Sequence, residues 1–196
     1  MQNVFYLIIL CITFTVSSQE NDTIKKSIFS KKHELRIDPV KFAIHRRLGL
    51  SYEYFYNKRI SFGISGIFLT DPKSLNEYKN DPDLNKRDFL NKYQIIPNIR
   101  YSLGFTKKSL YYVEIYSSIN SGIFKELSRV SVNNIAYYDI LDKKYVNFAI
   151  GGSIGWKRYF KNGFLFDVFA GLAPNIEVSK GADLIPRIGI NIGYRF

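Results

Sequence analysis

Residues 184 to 196 read Leu-Ile-Pro-Arg-Ile-Gly-Ile-Asn-Ile-Gly-Tyr-Arg-Phe. The even positions are apolar: Leu184, Pro186, Ile188, Ile190, Ile192, Tyr194 and Phe196. From Arg187 onward the odd positions are polar or very small: Arg187, Gly189, Asn191, Gly193 and Arg195. A period of two places these sets on opposite faces of one β-strand. Two aromatics on the apolar face, Tyr194 and Phe196, close the stretch.

The same alternation recurs upstream and predicts seven further strands. They cover Glu34–Ile44, Leu48–Tyr56, Ile60–Leu69, Tyr93–Phe105, Ser109–Ser121, Tyr145–Tyr159 and Phe164–Ala173. In the first, the phase changes near Pro39, which suggests a bulge or short irregular turn. Each strand has one bulky apolar face and one face of glycine, serine, asparagine and single charges. The charges on that second face are Arg36, Asp38, Glu53, Arg100, Glu114, Lys157, Asp167, Arg187 and Arg195.

Connection lengths set the topology. Asn57-Lys58-Arg59, Thr106-Lys107-Lys108 and Lys161-Asn162-Gly163 are tight turns, whereas Thr70–Lys92 and Gly122–Lys144 are long connections. Short turns alternating with long loops are the pattern of transmembrane barrels, with the turns and both termini on the periplasmic side. The expected fold is therefore all-β: an eight-stranded antiparallel transmembrane up-and-down barrel. Tyr54, Tyr56, Tyr101, Tyr111, Trp156, Phe164, Tyr194 and Phe196 fall near the turn end and would form an aromatic girdle. Pro39, Pro97, Pro174 and Pro186 fall toward the opposite rim, where a lost ladder bond matters least.

The beginning of the chain agrees. Met1–Ser18 carries no charge, and its apolar run from Val4 to Val16 is about 13 residues, short of the ~20 of a spanning helix. It reads as a secretory signal, with Val16-Ser17-Ser18 before the cut. Cys11 lies within it, so the mature chain would have no thiol for a disulfide or nucleophile. The expected organisation is a signal at 1–18, a periplasmic lead-in at 19–33 and a barrel at 34–196.

A soluble lipocalin-like barrel is the rival fold, but it wants its bulky apolar residues inside. The polar faces here suit a narrow lumen, with Glu53, Arg100, Glu114, Lys157, Asp167 and Arg187 forming an internal charge network rather than a filter. The formal net charge of +11 raises the possibility of nucleic acid. Lys58-Arg59, Lys107-Lys108 and Lys157-Arg158 with Lys161 instead lie beside the girdle, where basic side chains meet lipid headgroups. Asp81-Pro82-Asp83-Leu84-Asn85 begins like a calcium loop, yet Lys86 and Lys92 occupy its glycine and glutamate positions. No metal or cofactor site is expected. His33 and His45 are the only histidines, and neither has a nucleophile in view, so no catalytic residue is assigned.

The terminal Gly-Tyr-Arg-Phe resembles the last strand of Gram-negative outer-membrane barrels, in which that ending is read by the insertion machinery. The resemblance implies that Tyr194 and Phe196 form an assembly signal. With the strand number and loop asymmetry, the mature chain resembles the small OmpA- and OmpX-like barrels. Leu35–Tyr54, with Asp38-Pro39 ahead of Leu-Ser-Tyr-Glu at 50–53, looks like uncharacterised small barrels of that type. That family has no single activity, and no peptidoglycan-binding domain is expected after this barrel. The expected role is structural or surface-interacting, in the cell outer membrane, as a monomer touching membrane lipids and an unidentified extracellular partner. A lipid-modifying enzyme and a narrow transporter or pore are the alternatives.

Overall fold

The computed structural model describes residues 30–71, 89–106, 108–132, 135–176 and 184–196. The signal, most of the lead-in and the Asp81–Asn85 run lie outside the described residues. Among the described residues, eight strands and one short α-helix follow in order, with a 3-10 turn at Lys161–Gly163 between the sixth and seventh strands: β1 (His33–Ile37), α1 (Pro39–His45), β2 (Arg47–Phe55), β3 (Ile60–Leu69), β4 (Phe89–Phe105), β5 (Ser109–Val132), β6 (Ile135–Tyr159), β7 (Phe164–Pro174) and β8 (Leu184–Arg195). Each strand pairs antiparallel with the next, and β1 pairs with β8 to close the barrel. His33 and Phe196 bond each other's backbones across that seam, at 3.1 and 2.8 Å.

Local chemistry explains the tight turns. The Asn57 carboxamide accepts from the backbone N–H of both Arg59 and Ile60, at 2.7 Å each, and stands in for a missing backbone partner. Between β6 and β7, Asn162 and Gly163 adopt φ of 73° and 96°, a left-handed conformation that these two residue types tolerate best.

The side chains sort by parity around the wall. Odd positions of β2, β7 and β8 and even positions of β5 point inward, so Glu53, Asp167, Arg195 and Glu114 are buried while Ile115, Ile154 and Ile188 are 67–70% exposed. Phe55, Leu110, Tyr159 and Leu165 cluster at the turn end and form an apolar floor. Ile96, Tyr116, Ala149 and Ala173 form a second layer nearer the loop end, with Ile67 and Ile185 against it. Inward aromatics therefore share the lumen with the small residues. On the outside, Phe164 packs edge-on against Tyr194 at 5.5 Å, and Trp156 against Phe166 at 6.4 Å.

The structure corrects three expectations. The first strand stops at Ile37, and residues 39–45 form a helix rather than a bulged strand. Asp38 caps it by accepting from the Lys41 N–H at 2.9 Å, Pro39 occupies the first turn, and Arg46 ends it at φ 51°. The expected connection Gly122–Lys144 is mostly ladder, because β5 and β6 stay paired out to Val132 and Ile135. β4 begins at Phe89, four residues before the expected start, so Pro97 pairs with Ile64 well inside the ladder instead of at the rim.

Candidate functional site

Glu53, Arg100, Glu114, Lys157, Asp167 and Arg187 meet inside the lumen, together with Glu34, Arg36 and Arg195. Arg100 is the hub. Its Nε donates to Glu114 at 2.5 Å and its Nη1 to Glu53 at 2.7 Å, with Asp167 at 3.4 Å. Arg36 lies 2.6 Å from Glu53 and 3.0 Å from Asp167. Lys157 bridges Glu34 and Glu53 at 2.7 and 2.8 Å, and Arg195 reaches Glu34 at 3.2 Å. Arg187 pairs with Glu114 from the loop side.

Hydroxyl groups complete the carboxylate shells. Tyr112 donates to Asp167 and Tyr159 to Glu34, each at 2.7 Å; Ser61 donates to Glu53 at 2.6 Å and Ser153 to Glu114 at 2.9 Å. Aromatic faces cover the cations: the Arg195 guanidinium lies 3.7 Å from the Phe55 ring centre and that of Arg100 4.4 Å from Tyr112. Every strand contributes a residue to this cluster, so it braces the closed sheet across its bore. Burying these ions is costly, and pairing offsets much of that cost. Filled in this way, the lower lumen is a plug of matched charges.

Some members are poorly visible in the sequence. Glu34 is fully buried one rung before Arg36, and only its parity with Arg36 and Asp38 marks it. Tyr112 and Tyr159 are inward hydroxyl donors that residue type alone would place among the lipid-facing aromatics. Asp38 is buried at the helix cap, bonded to Lys41 at 2.5 Å, and stands apart from the central cluster. Lys157 is fully buried, so it cannot belong to the basic set that meets headgroups beside the girdle. Arg59 does sit at the girdle and donates to the Tyr101 hydroxyl at 3.2 Å. Tyr194 and Phe196 lie on the outer surface; the Phe196 ring stacks on His33 at 5.7 Å, and His33 Nδ1 is 2.7 Å from the Tyr52 hydroxyl. Among the described residues no group of His, Cys, Asp and Glu has the arrangement of a metal site.

The sequence matches no family model, and no curated protein matches it. Its architecture is similar to that of the N-terminal β-barrel domain of Pseudomonas aeruginosa OprF. The TM-score is 0.50 and the identity 14%, over 85% of this chain and 98% of that one. Yersinia pestis outer membrane protein Ail gives a TM-score of 0.37 at 15% identity, over 85% of this chain and 99% of that one. At this identity what the chain shares with the OprF barrel is the fold: a small, closed, eight-stranded antiparallel barrel.

Proposed function

We propose that the protein is an integral outer-membrane barrel that acts by surface contact, through the hairpin that extends from its loop end. The hairpin carries this reading. β5 and β6 are 24 and 25 residues long and pair from Ser109↔Arg158 to Val132↔Ile135. Among the described residues, the ladders to their neighbours reach Phe89↔Phe124 on the β4 side and Gly152↔Leu172 on the β7 side, with one further bridge at Ala149↔Asn175. Beyond those rungs β5 and β6 go on pairing with each other as far as Val132↔Ile135. Unpaired edges are templates for another chain, and proteins usually keep them short. A hairpin this long is costly to expose unless something binds it.

The membrane part of the reading rests on the apolar outer wall, the aromatic cluster at the turn end and the fold shared with the OprF barrel. Outer-membrane lipids would contact that wall, and the insertion machinery would read Tyr194 and Phe196. We assign no catalysis. Within the described residues, His45 is the histidine at the loop end, and no nucleophile stands beside it. A conducting role is less favoured than surface contact, because the paired charges span the bore. The barrel is proposed to work as a monomer.

The test deletes 127–140 and rejoins the strands with a two-residue turn. A heat-modifiable barrel that no longer captures its extracellular partner on intact cells is the expected result. Full rescue of a deletion strain by the shortened barrel would exclude the hairpin as the working surface.

A further inference from the structure

Above the charge plug, the loop end of the lumen widens into a cavity of about 440 Å³ between α1 and strands β2 to β6 and β8. That volume lies in the ~300–1,000 Å³ range of small-molecule sites. Its wall carries Lys41, His45, Arg47 and Arg187, and no carboxylate is among the described residues that line it. Two of those basic side chains are already engaged, Lys41 by Asp38 and Arg187 by Glu114. Arg47 is different. As the first inward residue of β2 it is half-buried at the mouth, and among the described residues it has no carboxylate partner. His45, exposed at the end of α1, lies on the same rim.

The rest of the wall combines amides with aliphatic surface. Gln94 donates to Ser118 at 2.7 Å, Asn120 accepts from Ser118 at 3.0 Å, and Asn91 accepts from Tyr145. Asn147 is 5% exposed, and its buried Oδ1 has no hydrogen-bond partner among the described residues. A buried acceptor without a donor costs free energy that a ligand hydroxyl would recover. Ile67, Ile96 and Ile185 add apolar surface to the same wall. A guanidinium with no carboxylate partner among the described residues, a buried acceptor with no donor among them and an aliphatic surface together fit one chemical class. The guanidinium fork suits phosphate, the amides suit hydroxyls, and the isoleucines suit the C–H face of a pyranose.

We propose that this mouth cavity binds a phosphorylated sugar, with Arg47 holding the phosphate and Asn147 accepting from a hydroxyl. The sugar could be a soluble molecule or the headgroup of a glycolipid.

Isothermal titration of the full-length barrel in detergent micelles tests this, with glucose 1-phosphate as the probe and inorganic phosphate and glucose as separate arms. Glucose 1-phosphate should bind at least about tenfold more tightly than either fragment. R47Q should weaken it by about tenfold or more, R47K should weaken it less, and N147L should weaken the sugar phosphate without affecting inorganic phosphate. Heat-modifiable mobility checks that each variant is folded, and R47K keeps the test valid if R47Q is not. A second arm uses nanodiscs with and without lipid A. Competition from lipid A identifies a lipid-borne sugar, and its absence identifies a soluble one. Equal binding by wild type and R47Q on both probes, or no saturable binding of either, overturns the proposal. Inorganic phosphate binding as tightly as glucose 1-phosphate would likewise remove the sugar from it.

Discussion

Replacing Arg100 with leucine removes the hub of the lumen network while keeping much of the side-chain volume. Arg100 serves three carboxylates, Glu114 at 2.5 Å, Glu53 at 2.7 Å and Asp167 at 3.4 Å. Breaking a buried ion pair from one side costs about 3–5 kcal/mol, because the partner charge is left without compensation. Each carboxylate here keeps another cation: Glu53 keeps Arg36 and Lys157, Asp167 keeps Arg36, and Glu114 keeps Arg187. The expected loss therefore lies at the lower end, about 3 kcal/mol. The control is R46Q, whose guanidinium pairs with Asp71 at the surface and is 57% exposed, so its loss should be about 0–1 kcal/mol. Equilibrium urea unfolding in lipid vesicles, followed by tryptophan fluorescence at Trp156, measures both. Losses within about 1 kcal/mol of each other would refute the reasoning, since the lumen would then solvate its charges individually.

Removing Phe196 should leave secretion intact and impair insertion, measured as outer-membrane yield against periplasmic accumulation. Normal yield would count against an assembly role for the terminal aromatic. Gly163 has φ of 96°, and a Cβ there would lie 2.6 Å from the Arg195 carbonyl oxygen, so G163A should cost about 1–3 kcal/mol by the same urea measurement. An unchanged midpoint would mean that the β6–β7 turn relaxes freely. Asp38→Ala should remove the cap of α1 at a cost of about 1 kcal/mol, seen as faster hydrogen exchange at the Arg46 amide, which bonds to the Phe42 carbonyl at 3.1 Å. Unchanged exchange would show that the helix is held by its contacts with the barrel.

The barrel wall was legible because a lumen and an apolar exterior impose a strict period of two. β3 matches its expected range, and the inward parity of Glu53, Glu114, Lys157 and Asp167 follows directly from it. Where that constraint ends, so does the signal. Beyond the β5–β6 rungs that other strands flank, no closed wall separates a lumen face from an outer one, and residues 122–144 carry no alternation and read as a loop although 122–132 pair with 135–145. α1 is hard to read from sequence for another reason. Seven residues give barely two turns of helical period, and the alternation of Leu35 and Ile37 carried the strand reading past its end. The Asp38-Pro39 pair is a helix start signal that sequence alone could have yielded. Of the site, parity exposes the charges but not their partners. Whether Arg100 meets Glu114, Glu53 or both depends on register and barrel closure, which no short-range pattern encodes. Tyr112 and Tyr116 share the parity of Glu114 and so read as inward, as they are, but that parity does not say that the Tyr112 hydroxyl meets Asp167.

Impermeant maleimide labelling of single cysteines on intact cells, in a Cys11-free background, tests the central claim most directly. In sequence, Asn133 falls between Val132, the last residue of β5, and Ile135, the first of β6, and Lys107 falls between Phe105 of β4 and Ser109 of β5. A membrane-spanning barrel with its hairpin outside predicts rapid labelling of N133C and labelling of K107C only after the outer membrane is permeabilised. Labelling of K107C on intact cells, or protection of N133C until permeabilisation, would contradict it.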